Sequence, residues 1–142
     1  MKPGSTLKLA QTGGSSGSII PAVLQDTPMD FESFRKAGVS LGSGALLICD
    51  QHTCIVDLVK VLLQFFRFES CGKCTPCRVG TRRILELLQK ICDGKGEDGD
   101  IQKLENLCYE VSRNSLCGLG QGAPNPVLSL SLIHISEPTR PY

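Results

Sequence analysis

Cys71-Gly72-Lys73-Cys74-Thr75-Pro76-Cys77 places three cysteines at equal spacing within one short segment. Three thiolates in such a C-x2-C-x2-C run can bind three irons of one cubane cluster. A bacterial-ferredoxin run would supply its next cysteine almost immediately, but the residues directly after Cys77 contain none. The remote candidate for the fourth iron is Cys117. The pattern therefore predicts one [4Fe–4S] cluster on Cys71, Cys74, Cys77 and Cys117.

Zinc is the main alternative, because four thiolates also make a good structural zinc site. Zinc sites usually use two separated C-x2-C pairs, so three equally spaced cysteines favour a cluster. A disulfide framework is weaker, because the eight cysteines come without a visible secretory signal, which predicts a reducing, cytoplasmic location. The other four cysteines are predicted to be structural: Cys49, Cys54, Cys92 and Cys108.

Composition and charge narrow the class of partner. A net charge of +1 predicts no general attraction to nucleic acid or to an anionic membrane. The most apolar run, residues 55–68, is broken by charges and too short to span a bilayer, so no direct membrane insertion is expected. No Ser/His/Asp set and no paired carboxylates are evident, so nothing indicates independent hydrolytic catalysis.

Basic residues gather around the motif, at Lys73, Arg78, Arg82 and Arg83. A [4Fe–4S] core with four thiolates carries net negative charge, which these side chains would partly offset. For Arg82 and Arg83 a solvated helix start is an equally good interpretation.

The residues before the motif predict a small α/β region. Two short apolar stretches, Leu7–Ala10 and Ile19–Leu24, read as strands joined by a Gly-rich turn. Asp30 is a good N-cap for a helix at 30–37, and Ala45–Cys49 reads as another strand.

The remaining sequence predicts a helical bundle. A helix from Thr53 to about Ser70 is apolar on nearly every side, which predicts a fully buried helix. Helices are expected at about 78–92 and 101–112, the latter capped by Asp100. The segment after Cys117 is expected to be an irregular loop because of Pro124 and Pro126. The predicted class is α+β.

Two blocks resemble a known family. Glu69-Ser70-Cys71-Gly72-Lys73-Cys74-Thr75-Pro76-Cys77-Arg78-Val79-Gly80-Thr81 and the segment 115–129 resemble the C-terminal part of the NADH-binding flavoprotein subunit of complex I. They are more similar still to its relatives in NAD(P)-linked hydrogenases and formate dehydrogenases. The resemblance implies a remnant of a small β-grasp domain over 1–52, then a four-helix-type iron–sulfur-binding bundle over 53–129. It also implies the cluster rather than zinc, with the same four cysteine ligands.

In that family the cluster takes electrons from FMN, reduced by NAD(P)H, and passes them to iron–sulfur centres of partner subunits. Nothing in this chain resembles the family's flavin- or NADH-binding segment, so no FMN- or NAD-binding residues are predicted. We therefore expect an electron-transfer module that is not catalytic alone, with other redox subunits of a multisubunit oxidoreductase as partners. A zinc-stabilised non-redox binding module and a non-functional gene fragment are the alternatives.

Residues 130–142 resemble no part of the family. Leu130–Arg140 matches the in-frame translation of a common transposase-type sequencing adaptor. We therefore expect this tail to be non-native, and His134 within it is not a candidate ligand.

Overall fold

The computed structural model describes the backbone of residues 3–136 and the side-chain burial of residues 3–130. The chain divides into two compact units, which meet in sequence between Thr53 and Cys54. Across the described residues, the first unit carries the strands and one short α-helix, and the second carries helices only. The predicted α+β class is confirmed.

The first unit is built on a small antiparallel sheet with strand order β2-β1-β3. The central strand β1 is Leu7–Thr12, β2 is Ile19–Pro21 and β3 is Leu46–Asp50. The predicted second strand was too long, because the chain leaves β2 at Pro21 and forms a 3-10 helix over Ala22–Leu24. Pro21 lacks the backbone N–H that a longer strand would use.

The glycine-rich segment between β1 and β2 forms the predicted turn. The Thr12 N–H donates to the Ser18 carbonyl at 3.1 Å, which closes the turn. A Cβ at Gly17 would overlap the Thr12 carbonyl, so this close approach requires glycine.

Helix α1 (Phe31–Lys36) begins at the predicted cap. The Ser33 N–H donates to Asp30 Oδ1 at 2.8 Å, and this hydrogen bond is the main reason that the pKa of Asp30 lies below its ordinary value. Gly38 ends the helix with a φ of 71°. A small hydrophobic core consists of Ile20, Phe34 and Val39.

The second unit consists of five helices along the described chain: α2 (Ile55–Glu69), α3 (Thr75–Cys92), α4 (Asp100–Asn114), α5 (Gly118–Gly122) and α6 (Asn125–Ser136). Helix α3 packs against both α2 and α4. At Gly80 the backbone of α3 lies so close to α4 that a Cβ there would overlap Val111 Cγ2. The missing side chain at Gly80 therefore allows the two helices to approach.

The prediction that α2 is buried on every side is wrong. Val59, Leu63 and Phe66 are buried, whereas Val61, Phe65 and Phe68 are exposed, Phe68 to 84%. The buried residues recur at three- and four-residue spacing, which is one face of a helix. Helix α2 therefore packs on one side only within the described chain.

Helix α3 begins at Thr75 rather than at the predicted Arg78. Pro76 lies in its first turn, where a residue without an N–H leaves no helical hydrogen bond unmade. Cys77 is therefore part of the helix and not of the preceding turn.

The segment after Cys117 is helical rather than irregular. Pro124 precedes α6 and Pro126 lies in its first turn, so neither proline interrupts a helix interior. Helix α6 continues past residue 129 into the segment predicted to be a non-native tail, whose residues 137–142 lie outside the described part. The origin of that tail stays a prediction.

Asp100 ties α3 to the start of α4. Its carboxylate is 2% exposed and lies 2.8 Å from Lys90 Nζ and 3.3 Å from Lys103 Nζ. The Glu97 N–H donates to it at 3.0 Å. These contacts lower the pKa of Asp100 to about 2, and the hydrogen bond from Lys90 has the largest effect. Asp100 was predicted to be the N-cap of α4, but it is the first residue of the helix. The N-cap residue is Gly99, which has a φ of 91°.

We predict that Asp100→Asn destabilises the metal-free chain in a pH-dependent way. Folding lowers the pKa of Asp100 from 3.8 to about 2. Its ionised form therefore adds stability in full above about pH 4, and this contribution is lost as the pH falls through about 2. Urea unfolding between pH 7 and pH 2 should show the difference from the unsubstituted chain shrinking on acidification. The matched control Asp98→Asn removes an exposed carboxylate from the loop just before α4, and an equal effect there would contradict the prediction.

Candidate metal centre

The four predicted ligands lie at the beginnings of two helices. Cys71 is exposed in the turn between α2 and α3, and Cys74 is the half-buried N-cap residue of α3. Cys77 is buried in the first turn of α3. Cys117 is the exposed N-cap residue of α5. The first three therefore surround the N-terminus of α3, where free backbone N–H groups and the helix dipole favour bound negative charge.

The turn that carries Cys71 is held by Arg78. Gly72 has a φ of 72°, a backbone conformation that favours glycine. The Arg78 guanidinium donates to the Gly72 carbonyl and, at 3.3 Å, to Thr75 Oγ1. Arg78 therefore contacts both sides of the Cys74 position in the motif. The sequence predicted only that Arg78 offsets cluster charge, not that it holds the turn.

The segment before α5 packs against the start of α3. The Leu116 N–H is directed at the Cys74 sulfur and is the main reason that the pKa of the Cys74 thiol is lowered. The position of a Cβ at Gly120 lies 3.0 Å from Cys77 Cβ. The chain around Cys117 thus contacts both Cys74 and Cys77 through its neighbours.

Two hydrogen bonds fix this segment to the end of α4. Ser112 Oγ donates to the Gln121 carbonyl at 3.0 Å, and Gln121 Nε2 donates to the Ser115 carbonyl at 3.1 Å. The return of the chain toward α3 is therefore built into the α4–α5 connection.

The four thiols are not collected into one finished site. In the part of the chain that the structure describes, no three His, Cys, Asp or Glu side chains form a group that could hold a metal ion. The backbone brings the four positions to neighbouring helix ends, whereas the ligand set itself stays a prediction.

The other cysteines have environments that suit a structural role. Burial raises the pKa of the Cys49, Cys92 and Cys108 thiols, that of Cys108 to about 12. Because thiolate is the form that binds metal, a raised pKa disfavours ligation. Cys54 is the exposed N-cap residue of α2.

The basic residues near the motif divide into two kinds. Arg82 Nε lies 2.9 Å from Glu86 and Arg83 Nη1 lies 3.0 Å from the same carboxylate. These two arginines are exposed and paired on the surface of α3, which favours the solvated-helix interpretation for them. Arg78 is the basic side chain that contacts the cysteine turn.

Two serines beside Cys77 were missed by sequence reasoning. Ser70 Oγ lies 3.2 Å from Cys77 Sγ. Ser115 Oγ is buried without a hydrogen-bond partner and touches the position of a Cβ at Gly120. Their only signal in the sequence was proximity to a cysteine, which does not tell where a hydroxyl points.

A family model describing the NADH-ubiquinone oxidoreductase-F iron-sulfur binding region matches residues 57–133. The chain belongs to this family. The match covers both cysteine segments and gives the described helices their class, an iron–sulfur-binding region of the 4Fe–4S type. No helix among the described residues is both long enough and apolar enough to cross a membrane.

The similar proteins include both hydrogenase subunits and F subunits of NADH-quinone oxidoreductases. The chain is 41% identical to the NADP-reducing hydrogenase subunit HndC of Solidesulfovibrio fructosivorans, over 89% of this chain and 26% of that protein. It is 42% identical to the F subunit of the NADH-quinone oxidoreductase of Streptomyces coelicolor, over 91% of this chain and 29% of that protein. A solved NAD+-reducing [NiFe]-hydrogenase in the H2-reduced state superposes with a TM-score of 0.79 at 31% identity, over 96% of this chain and 24% of that one. The predicted resemblance is confirmed, and the chain spans under a third of the length of these relatives.

We predict that Gly120→Ala and Gly118→Ala have opposite effects on the stability of the metal-free chain. A Cβ at Gly120 would overlap Ser115 Oγ and press on Cys77, which should cost about 1–3 kcal/mol. A Cβ at Gly118 meets nothing within 4 Å, so alanine there should be neutral or stabilising by up to about 1 kcal/mol, as helix propensity predicts. Urea unfolding measures both, and equal stability of the two variants would contradict the packing described here.

Proposed function

We propose that this chain holds one [4Fe–4S] cluster on Cys71, Cys74, Cys77 and Cys117 and passes electrons rather than transforming a substrate. The observation that carries the proposal is the packing of the Leu116–Gly120 segment against Cys74 and Cys77. This packing supports a place for the remote cysteine near the end of α3, close to the other three.

The donor set fits such a cluster. Four cysteine thiolates are the usual ligands of a cubane, and three of these lie at the positive end of α3. A buried, unpartnered hydroxyl beside Cys77 further suits a group with hydrogen-bond acceptors at this place. Cys71 and Cys117 are exposed at the surface of this end of the helices, where a cluster could be inserted.

When bound, the cluster supplies reversible one-electron chemistry. The chain's own residues hold it and adjust its charge. Arg78 keeps the Cys71 turn in shape, and the N–H groups of Leu116 and Cys77 stabilise negative charge on the Cys74 sulfur. The pairing of Arg82 and Arg83 with Glu86 leaves those two residues a smaller part in offsetting the cluster charge.

The place of this module in a larger protein is also a proposal. The relatives' names refer to NADH, NADP and quinone, and the chain spans under a third of their length. We propose that in a full-length parent a flavin domain oxidises NAD(P)H and delivers electrons from FMN to this cluster. Iron–sulfur centres of partner redox subunits, in the cytoplasm, would then receive them. The chain alone is not expected to be catalytic.

Zinc competes with an iron–sulfur cluster for the same four cysteines, because thiolates bind both zinc and iron. Anaerobic reconstitution followed by iron, sulfide and zinc analysis distinguishes the two, with EPR after dithionite reduction as the redox readout. We expect a coloured protein with one cluster and a signal from the reduced state. A colourless protein with one tightly bound zinc and no EPR signal would contradict the proposal.

Cys117→Ser tests the fourth ligand. We predict that it lowers the yield of intact [4Fe–4S] clusters and shifts the EPR spectrum, because serine replaces a thiolate by a harder oxygen. The matched control is Cys54→Ser, an exposed cysteine at the start of α2, which should keep the full cluster. A full [4Fe–4S] spectrum in Cys117→Ser would show that the fourth ligand is another residue.

A further inference from the structure

Two serine hydroxyls lie beside Cys77, the buried member of the cysteine set. Ser70 Oγ is 3.2 Å from Cys77 Sγ. The Gly72 N–H donates to Ser70 Oγ at 3.3 Å, which uses an oxygen lone pair and leaves the hydroxyl hydrogen free to point at sulfur. A thiolate carries no proton, so once Cys77 is ionised Ser70 is the donor in this contact.

The second hydroxyl belongs to Ser115. Its residue is only 5% exposed, and Oγ has no hydrogen-bond partner. A buried hydroxyl without a partner has given up its hydrogen bonds to water and gained none in return, which is unfavourable. The backbone of Ser115 is held in place, because its N–H donates to the Val111 carbonyl at 3.1 Å and its carbonyl accepts from Gln121 Nε2.

Ser115 and Cys77 border the same small space. The position that a Cβ at Gly120 would occupy touches Ser115 Oγ and lies 3.0 Å from Cys77 Cβ. That space adjoins the helix end where the chain around Cys117 meets α3. A group held jointly by Cys77 and Cys117 therefore lies within reach of the unpartnered hydroxyl.

The geometry points to Ser115 as a hydrogen-bond donor to the sulfur atoms at the Cys77 corner of the cluster, with Ser70 as a second donor there. This inference rests on the proposed function. A reduced cluster carries one more negative charge than an oxidised one, so a donor stabilises the reduced form more. The two hydroxyls therefore raise the reduction potential, in addition to satisfying an otherwise unpaired polar atom.

The first test is the midpoint potential of Ser115→Ala in the full chain after anaerobic reconstitution. An EPR-monitored redox titration should show a cluster that still assembles and whose midpoint potential is more negative than in the unsubstituted chain. Ser115→Thr keeps a hydroxyl and should recover part of the shift. Ser70→Ala should shift the potential in the same direction, and it tests the proposal even if the added methyl group of Ser115→Thr prevents folding.

The matched control is Ser129→Ala, a buried serine in α6. Its hydroxyl donates to the Pro126 carbonyl at 2.9 Å, so its loss removes a backbone hydrogen bond outside the segment that carries Cys117. We expect a lower thermal unfolding temperature and little change in the midpoint potential.

The metal-free chain gives a readout that does not depend on the cluster. Removing an unpartnered buried hydroxyl should leave the unfolding temperature unchanged or raise it, whereas Ser129→Ala should lower it. A purely structural role for Ser115 predicts the reverse, with a lower unfolding temperature and an unchanged potential.

The outcomes separate the two proposals. If the unsubstituted chain assembles no [4Fe–4S] cluster, the proposed function and this inference both fail. If the cluster assembles fully and the potentials of Ser115→Ala and Ser70→Ala equal that of the unsubstituted chain, the inference alone is overturned. A negative shift in both variants, without one in Ser129→Ala, supports it.

Discussion

The site depends on the close approach of the α5 backbone to the first turn of α3. Gly120 makes this approach possible, because any side chain there would overlap Ser115 Oγ and press on Cys77. The hydrogen bonds of Ser112 and Gln121 then keep the connection folded back. Without this contact, Cys117 would not be held near the other three cysteines, and the proposed ligand set would be incomplete.

The surroundings of Cys74 differ from those of the buried cysteines outside the motif. Thiolates need nearby donors or positive charge, and the N-terminus of α3 supplies both through the N–H groups around Cys74 and through Arg78. Burial raises the pKa of the Cys108 thiol to about 12, which disfavours the thiolate form that binds metal. The surroundings of Cys74 therefore favour a thiolate and those of Cys108 disfavour one.

Local patterns gave the correct elements where one physical signal dominated. The Asp30 cap and the stripe of α3 were predictable because side-chain chemistry and periodicity agree there. The burial of α2 was overestimated, because composition does not say how many faces of a helix the rest of the chain can cover. The prolines near residue 125 were misread, because a proline that ends one helix and a proline that begins another look alike in sequence.

The candidate site was predictable only in part. Spacing predicted Cys71, Cys74 and Cys77 with Cys117 as the remote candidate, and the family resemblance implied the same four cysteines. The hydroxyls of Ser70 and Ser115 were not predictable, because their role depends on side-chain direction and burial after folding. The spacing argument left zinc open, and the family match supplies the iron–sulfur class that spacing could not.

Native mass spectrometry of the anaerobically reconstituted chain tests the central claim most directly, because it counts metal and sulfide on each molecule. The account predicts one dominant species with four irons and four sulfides per chain, and its loss when Cys117 is replaced by serine. A dominant species with a single zinc ion, or an intact four-iron species that is unaffected by the serine replacement, would contradict it.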